Sequence, residues 1–376
     1  MTDFADTAPP NTRHLLLLGA GHAHLQVLKA ALPRAGLRIT LVSPLPNPIY
    51  SGMVPGFVAG LYTLQECSLG LQPLLQRSGV KWLARSARQV DAERNQVLLD
   101  DGSVLNYDWL SINTGPVHSR DQIERSMPGA REHGLFLRPI EGFCALWPRV
   151  RELGASRALR LAVIGAGAAG IELAMAIRQA LPGSAVSLIA GPDPIGHNYP
   201  AAVQQRIRAA LAARRIVLLP DSAAAVRQSE VALLSGASLA CDVPLIALGA
   251  QAPSWLCGGA LALDPQGFIA VDTCQRSTSH GNVFAVGDVA SRSDLRLPRS
   301  GVQAVRAGPA LAANLRAVTA GKAPLPYDPP LRTLNLLSCG DRQAIASWGN
   351  WSAEGRWVWY WKNWIDRRWV AAFPKR

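Results

Sequence analysis

Leu161 to Ala174 reads LAVIGAGAAGIELA. An apolar run, Leu161-Ala162-Val163-Ile164, enters Gly165, Gly167 and Gly170 at G-x-G-x-x-G spacing, and an Ala-rich helical pattern holding Glu172 follows. Each glycine answers a different need. Gly165 allows a tight turn, Gly167 lets a pyrophosphate approach the backbone, and Gly170 lets helix and strand pack closely. The helix N-terminus then offers unpaired N–H groups and a positive dipole end to the phosphates. The stretch predicts strand, turn and helix of an α/β, Rossmann-like three-layer domain that binds a dinucleotide.

Upstream, His14-Leu15-Leu16-Leu17-Leu18 is a second buried-strand run, entering Gly19-Ala20-Gly21-His22-Ala23-His24. This fingerprint is imperfect, because His24 stands at the third glycine position and its side chain should push helix from strand. His22 and His24 either pack and cap the helix or touch cofactor phosphates or ring. The next strand, Leu37 to Val42, ends at Ser43, where an acid ordinarily binds ribose hydroxyls and a serine bonds them more weakly. Pro44 to Tyr62, PLPNPIYSGMVPGFVAGLY, reads as a structured loop beside a planar ligand, then a short helix. Val80 to Val90 and Gln96 to Leu105 alternate like strands around an Asp100-Asp101-Gly102 turn. A further strand closes at Asn113-Thr114-Gly115.

Downstream, Glu141 to Leu153 and Ala201 to Arg215 read as helices, and Ala185 to Ala190 as a strand. Cys241 to Leu248 ends at Gly249-Ala250, echoing Asn113 to Gly115. An apolar strand then delivers Gly287-Asp288, which puts a carboxylate at a sheet's C-terminal edge, where ligands bind in such folds. Ser300 to Val318 is a long helix and Pro324 to Pro330 a linker. Seven of the eleven tryptophans lie between Trp348 and Trp369. There Ala344 to Trp351 and Arg356 to Trp361 read as strands around a Ser352–Gly355 turn, and Lys362 to Phe373 as a basic amphipathic helix. Trp, Phe and Arg together suit a membrane interface; the alternative is a cap on the protein body or a homodimer contact.

At 376 residues the chain can bury a substantial core in two or three domains. The net charge of +12 favours anionic partners: nucleotide cofactors, acidic lipids or nucleic acid. Zinc-ligand spacing, RNA-binding signatures and basic repeats are missing, so neither a metal nor nucleic acid is expected. The six cysteines have no paired spacing and read as reduced thiols. The N-terminus does not read as a secretory leader, and no apolar run reaches the ~18 residues of a membrane span. The expected place is the cytoplasm, or its membrane face.

Two fingerprints, two strand-to-glycine endings and a late Gly-Asp fall in order, and together resemble the two-dinucleotide-binding-domain flavoproteins of the pyridine nucleotide–disulfide oxidoreductase-like superfamily. Residues 1–12 read as a disordered lead; the resemblance implies an FAD domain over 13–157 and 252–325, an NAD(P)H domain over 158–251, and a C-terminal cap or membrane-surface segment over 326–376. It implies that Gly19, Gly21, His22, His24, Ser43, Pro48, Ser51, Thr114, Gly115, Gly287, Asp288, Gly301 and Val302 serve FAD, with Asp288 near its ribityl or pyrophosphate part. Gly165, Gly167, Gly170 and Gly249 would serve NAD(P)H, with Glu172 near the nicotinamide and Tyr50 lining the flavin. Within the superfamily, VSPLPNPIYSGMVPGFVAGLY, the GHAH variant and the tail SCGDRQAIASWGNW...WKNWIDRRW look like the type II NADH dehydrogenase-like module often fused ahead of selenide, water dikinase. The kinase would begin after Arg376, so selenophosphate synthesis is not expected of these residues.

The implied activity is a hydride passed from NAD(P)H to FAD, then electrons to a second acceptor such as a quinone. Asp193, after the strand Ala185 to Ala190, tips the donor towards NADH. Three departures bear on this. Ser51 to Gly60 lacks the redox cysteine pair of the disulfide reductases. Val302 and Arg306 stand where type II dehydrogenases carry quinone-facing glutamines. Cys144 and Cys339 roughly match the sulfur-carrying cysteines of sulfide:quinone oxidoreductases, which makes that activity one alternative. An accessory flavoprotein of selenium metabolism is the other.

Overall fold

The computed structural model describes residues 12–32, 35–249 and 251–373. The disordered lead therefore lies outside the described residues except for Thr12, as does Ala250. Two parallel five-stranded sheets carry the molecule. The first runs Val283–Ala285, Trp109–Ile112, Arg13–Leu18, Leu37–Val42, Lys81–Leu83. The second runs Val217–Leu219, Ala185–Ile189, Arg160–Ile164, Val243–Ile246, Leu135–Phe136. Each fingerprint strand is the middle strand of its sheet. Covered on both faces, such strands must be apolar throughout, and Leu15 to Leu18 and Leu161 to Ile164 are all buried.

The two units repeat one plan. Each fingerprint strand leads into a helix, His22–Lys29 in the first and Ala168–Ala180 in the second. Each unit then inserts a three-stranded antiparallel sheet before returning to the parallel one. The first insert is Ala87–Asp91, Gln96–Leu99 and Val104–Asn106, and the second is Ala223–Arg227, Glu230–Leu233 and Ser238–Ala240. The chain crosses between units twice, and the crossings pair as an antiparallel bridge, Val117 with Gln251. Because Leu135–Phe136 joins the second sheet, that unit takes an edge strand from ahead of the boundary expected at 157/158.

The tail forms an antiparallel sheet, Asn335–Ser338, Ala344–Trp348 and Trp351–Gly355, then one helix, Arg356–Ala371. This corrects the strand expected over Arg356–Trp361. Gly355 takes φ +128 and ends the last strand there. Beyond it Val358, Trp359, Lys362 and Asp366 are buried at helical spacing, so burial of one helical face overrides the strand preference of alternating aromatics. The tail lies against both units: the Ser338 N–H donates to Glu172 Oε1 (2.7 Å), and Lys362 Nζ donates to the Gly52 carbonyl (2.8 Å).

Candidate functional site

The first fingerprint is built around Asn113. A Cβ on Gly19 would lie 2.6 Å from the Asn113 carbonyl, and one on Gly21 2.3 Å from Asn113 Oδ1. The same Oδ1 accepts from the Ala23 and His24 N–H groups (3.1 and 3.3 Å), while Nδ2 donates to the Val286 carbonyl (2.8 Å). Asn113 thus ties the helix start to the Gly287-Asp288 strand end, and its neighbours Thr114 and Gly115 sit at the same sheet edge. In the sequence Asn113 is only the end of a strand; its contacts with Gly19 and Gly21, about 90 residues away, exist only in the fold.

His24 solves the missing-glycine problem chemically. In the second fingerprint a Cβ on Gly170 would lie 1.9 Å from the Gly165 carbonyl. At the matching place His24 Nδ1 sits 2.6 Å from the Gly19 carbonyl, and Nε2 2.8 Å from Ser111 Oγ. Burial drives its pKa down to about 4. A fully buried ring with protein partners on both nitrogens has none left for a phosphate, so the packing alternative describes His24. His22 differs. Its ring is half-buried, 5.4 Å from Tyr50 and 6.0 Å from Trp369, and a Cβ on Gly301 would come within 3.9 Å of it. Burial, then Arg138, lowers its pKa to about 4, so it stays neutral.

Ser51, His22 and Gly301, far apart in sequence, meet here: a Cβ on Gly301 would also lie 3.8 Å from Ser51 Oγ. Pro48 and Tyr50 are pinned by the Leu69 N–H donating to the Pro48 carbonyl and the Tyr50 N–H to the Cys67 carbonyl. Ser43 is buried at the end of its strand. Ser300 caps the helix Gly301–Thr319, accepting from the Gln303 N–H, so Gly301 and Val302 present its first turn. Burial raises the Asp288 carboxyl against the opposing charges of Arg138 and Arg299. Arg138, which nothing in the sequence singled out, therefore joins this group. The turn glycines, the helix starts and Asp288 fit an extended diphosphate with attached hydroxyls.

The second fingerprint is more open. Gly167 caps the helix Ala168–Ala180 at φ −67, and nothing lies within 4 Å of where its Cβ would be. Gly165 backs onto the Ala247 carbonyl, at 2.5 Å from its Cβ position, as Gly19 backs onto Asn113. Gly249 lies three residues beyond the end of the neighbouring strand Val243–Ile246, with open space beside it. Glu172 points from this helix towards the tail and Tyr50. Burial raises its pKa to about 7, with Lys362 and the Ser338 N–H opposing and Asp366 assisting. Lys362 donates to Asp366 Oδ2 (2.7 Å), and Tyr50 OH donates to Asp366 Oδ1 (3.2 Å). A buried ionisable cluster therefore joins both units and the tail.

The cysteines do not form a site of the expected kind. Cys144 and Cys339 are buried, and burial pushes each thiol up to about 12. Cys144 feels Cys67, not Cys339. All six thiols are free, and no metal-holding group of His, Cys, Asp and Glu occurs among the described residues.

Each of the two fingerprints thus lies on the central strand of its own parallel sheet. A family model described as pyridine nucleotide-disulphide oxidoreductase matches residues 13–310. The chain belongs to that family. It is therefore an oxidoreductase of the flavin and pyridine nucleotide type. Among its relatives, oxidoreductase ptaL of Pestalotiopsis fici (strain W106-1 / CGMCC3.15140) is 25% identical over 372 residues, 91% of this chain and 93% of the relative. Sulfide-quinone reductase of Aquifex aeolicus (strain VF5) is 30% identical over 110 residues, covering 28% of this chain and only 24% of the relative. Among solved structures, NDH2 from Plasmodium falciparum in complex with NADH gives a TM-score of 0.79 at 13% identity over 97% of this chain and all (100%) of that one. The sulfide:quinone oxidoreductase of Aquifex aeolicus gives 0.78 at 20% identity, over 95% of this chain and 90% of that one. At those identities the structures speak for the fold.

Proposed function

We propose that the chain is an FAD-dependent NAD(P)H dehydrogenase, and the observation that carries this is the pair of fingerprints, each on the central strand of its own parallel sheet. Bound nicotinamide and flavin supply the hydride chemistry and the onward release of electrons; the chain holds, orients and insulates them. Gly19 and Gly21 would hold the FAD diphosphate, Asp288 its hydroxyls, and the helix start at Gly301 and Val302 would set a positive dipole end against the ring. Gly165, Gly167 and the helix Ala168–Ala180 would hold NAD(P)H, with Glu172 by the nicotinamide. NADH is preferred, because Asp193 follows the strand with a carboxylate that could swing to a ribose, and the sequence from Ala190 to Asn198 holds no arginine for a 2′-phosphate.

For the acceptor we take a quinone-class ring. The support is an apolar groove of about 740 Å³ between the helices His22–Lys29, Gly301–Thr319 and Arg356–Ala371. Trp369 lines it and reaches to 6.0 Å from His22 and 6.3 Å from Tyr50. No helix among the described residues is long and apolar enough to cross a membrane. The tail instead presents Trp357, Tyr360 and Trp364 at 54%, 50% and 56% exposure beside Arg368, a ridge that suits the headgroup region of an anionic bilayer. Anionic vesicles should shift tryptophan emission to the blue and pellet the protein, and Trp357→Ser with Trp364→Ser should abolish both effects. Unaltered binding by the double variant would remove the ridge from this reading.

Anaerobic titration of the purified protein tests the activity. NADH should bleach the flavin band, and a quinone should restore it. A flavin that stays oxidised with both NADH and NADPH contradicts the proposal, and bleaching by sulfide alone would favour the sulfide-oxidising alternative.

A further inference from the structure

The groove between the helices His22–Lys29, Gly301–Thr319 and Arg356–Ala371 has a polarity that a neutral ring does not use. The first two helices start together at the candidate FAD site and run side by side away from it. A Cβ on Gly301 would come within 3.9 Å of His22, one on Gly308 would lie 2.6 Å from Gln26 Nε2, and Arg316 Nη2 donates to the Ala30 carbonyl at 3.1 Å. The terminal helix forms the third wall and brings Trp369 to 6.0 Å from His22. Apart from Gln26 and three cations, the lining is alanine, proline, isoleucine, tryptophan and phenylalanine.

The cations are Lys29, Arg316 and Arg368, one from each helix and all exposed at the rim. No aspartate or glutamate lines the groove, and none of the three cations has an ion pair among the described residues. What holds them is neutral and belongs to the groove itself. Arg316 bonds the Ala30 carbonyl, Lys29 Nζ stands 5.8 Å from the centre of the Phe373 ring, and Arg368 Cζ stands 5.3 Å from that of Trp364. Each cation lies in the last turn of its helix, where the helix end offsets roughly half a charge. About half of the rim's positive charge is therefore left without a counter-charge, above an apolar floor. An amphiphile with one anionic head and an apolar body is the complement of such a surface, and a volume of about 740 Å³ is ordinary for one bound molecule.

We propose that the groove binds a long-chain fatty acid, its carboxylate at Lys29 and Arg316 and its alkyl chain along Ala312 and Ile365 towards Trp369. The bound chain would close the groove to the electron acceptor, so free fatty acid competes with electron exit. That competition rests on the quinone-class reading of the groove; binding does not.

Calorimetric titration of the full chain with laurate, kept below its critical micelle concentration, tests it beside dodecyltrimethylammonium and acetate. Laurate should bind saturably, and both the cation of equal chain length and acetate at least about tenfold more weakly. Lys29→Gln with Arg316→Gln should weaken laurate about tenfold and leave dodecyltrimethylammonium no weaker. Both side chains are exposed, and Ala313→Trp, which fills the groove from the middle helix, carries the same test by abolishing laurate binding should the double variant fail to fold. Laurate should also slow reoxidation of the reduced flavin by a quinone while leaving its reduction by NADH unchanged. Saturable, charge-dependent laurate binding that leaves reoxidation untouched would keep the fatty-acid site and remove the quinone from the groove. No saturable binding below the critical micelle concentration, equal affinity for laurate and dodecyltrimethylammonium, or laurate affinity unchanged in the variants would overturn the proposal.

Discussion

Glu172 sits in a fingerprint helix, yet its partners come from elsewhere: the Ser338 N–H, Lys362 and Asp366. Folding raises its pKa from 4.5 to about 7. Across that window the folded chain binds more protons than the unfolded one, so this group makes stability fall as pH rises from 4.5 and level off above 7. Glu172→Gln should flatten that limb of a urea-derived stability profile. If the carboxyl also faces the nicotinamide, flavin reduction by NADH should lose a transition near neutral pH in the same variant. A second residue-scale expectation concerns the thiols. Cys257 is the exposed one and should react fast with an aromatic disulfide reagent, while Cys144 and Cys339 should wait for unfolding. Cys144→Ser and Cys339→Ser should leave NADH-driven reduction unchanged, and loss of activity in either would restore a thiol mechanism. Glu172 was legible because a fingerprint fixes its place. Asn113 and Arg138 were not, since their roles exist only once distant loops meet.

The terminal helix is the element that sequence patterning described least well. Its alternating aromatics imitate a strand, whereas its i, i+4 pair Lys362 and Asp366 follows the helix and ends up inside, with side chains 10% and 6% exposed. Lys362 binds both Asp366 and the Gly52 carbonyl, so it fastens the tail to the loop that carries Tyr50 and Ser51. Lys362→Met strands a buried carboxylate and should cost ~3–5 kcal/mol in denaturant unfolding. Adding Asp366→Leu should recover most of that loss, because a buried pair replaced by apolar groups is close to neutral. No recovery would mean that the tail is held by packing alone.

At the scale of the whole molecule, ordered motifs carried the reading. Two fingerprints, two strand-to-glycine endings and Gly287-Asp288 each mark the C-terminal edge of a parallel sheet. The edge strand Leu135–Phe136 was not legible, because two residues joined to a strand a hundred positions later leave no local pattern. The two fingerprints have nearly the same backbone, with Gly21 and Gly167 both at φ −67. Only their surroundings differ. A side chain at Gly21 collides with Asn113, whereas one at Gly167 enters open space and blocks only what approaches from outside. Gly167→Val should therefore fold and keep its flavin, while losing at least one phosphate hydrogen bond worth ~1.5–3 kcal/mol. The decisive measurement is anaerobic flavin reduction by NADH in this variant, beside reduction by dithionite. We expect normal flavin content, normal dithionite bleaching, and an NADH concentration for half-maximal reduction raised about tenfold or more. Loss of flavin, or NADH reduction identical to the wild type, would contradict the assignment of Leu161 to Ala174 as the point of electron entry.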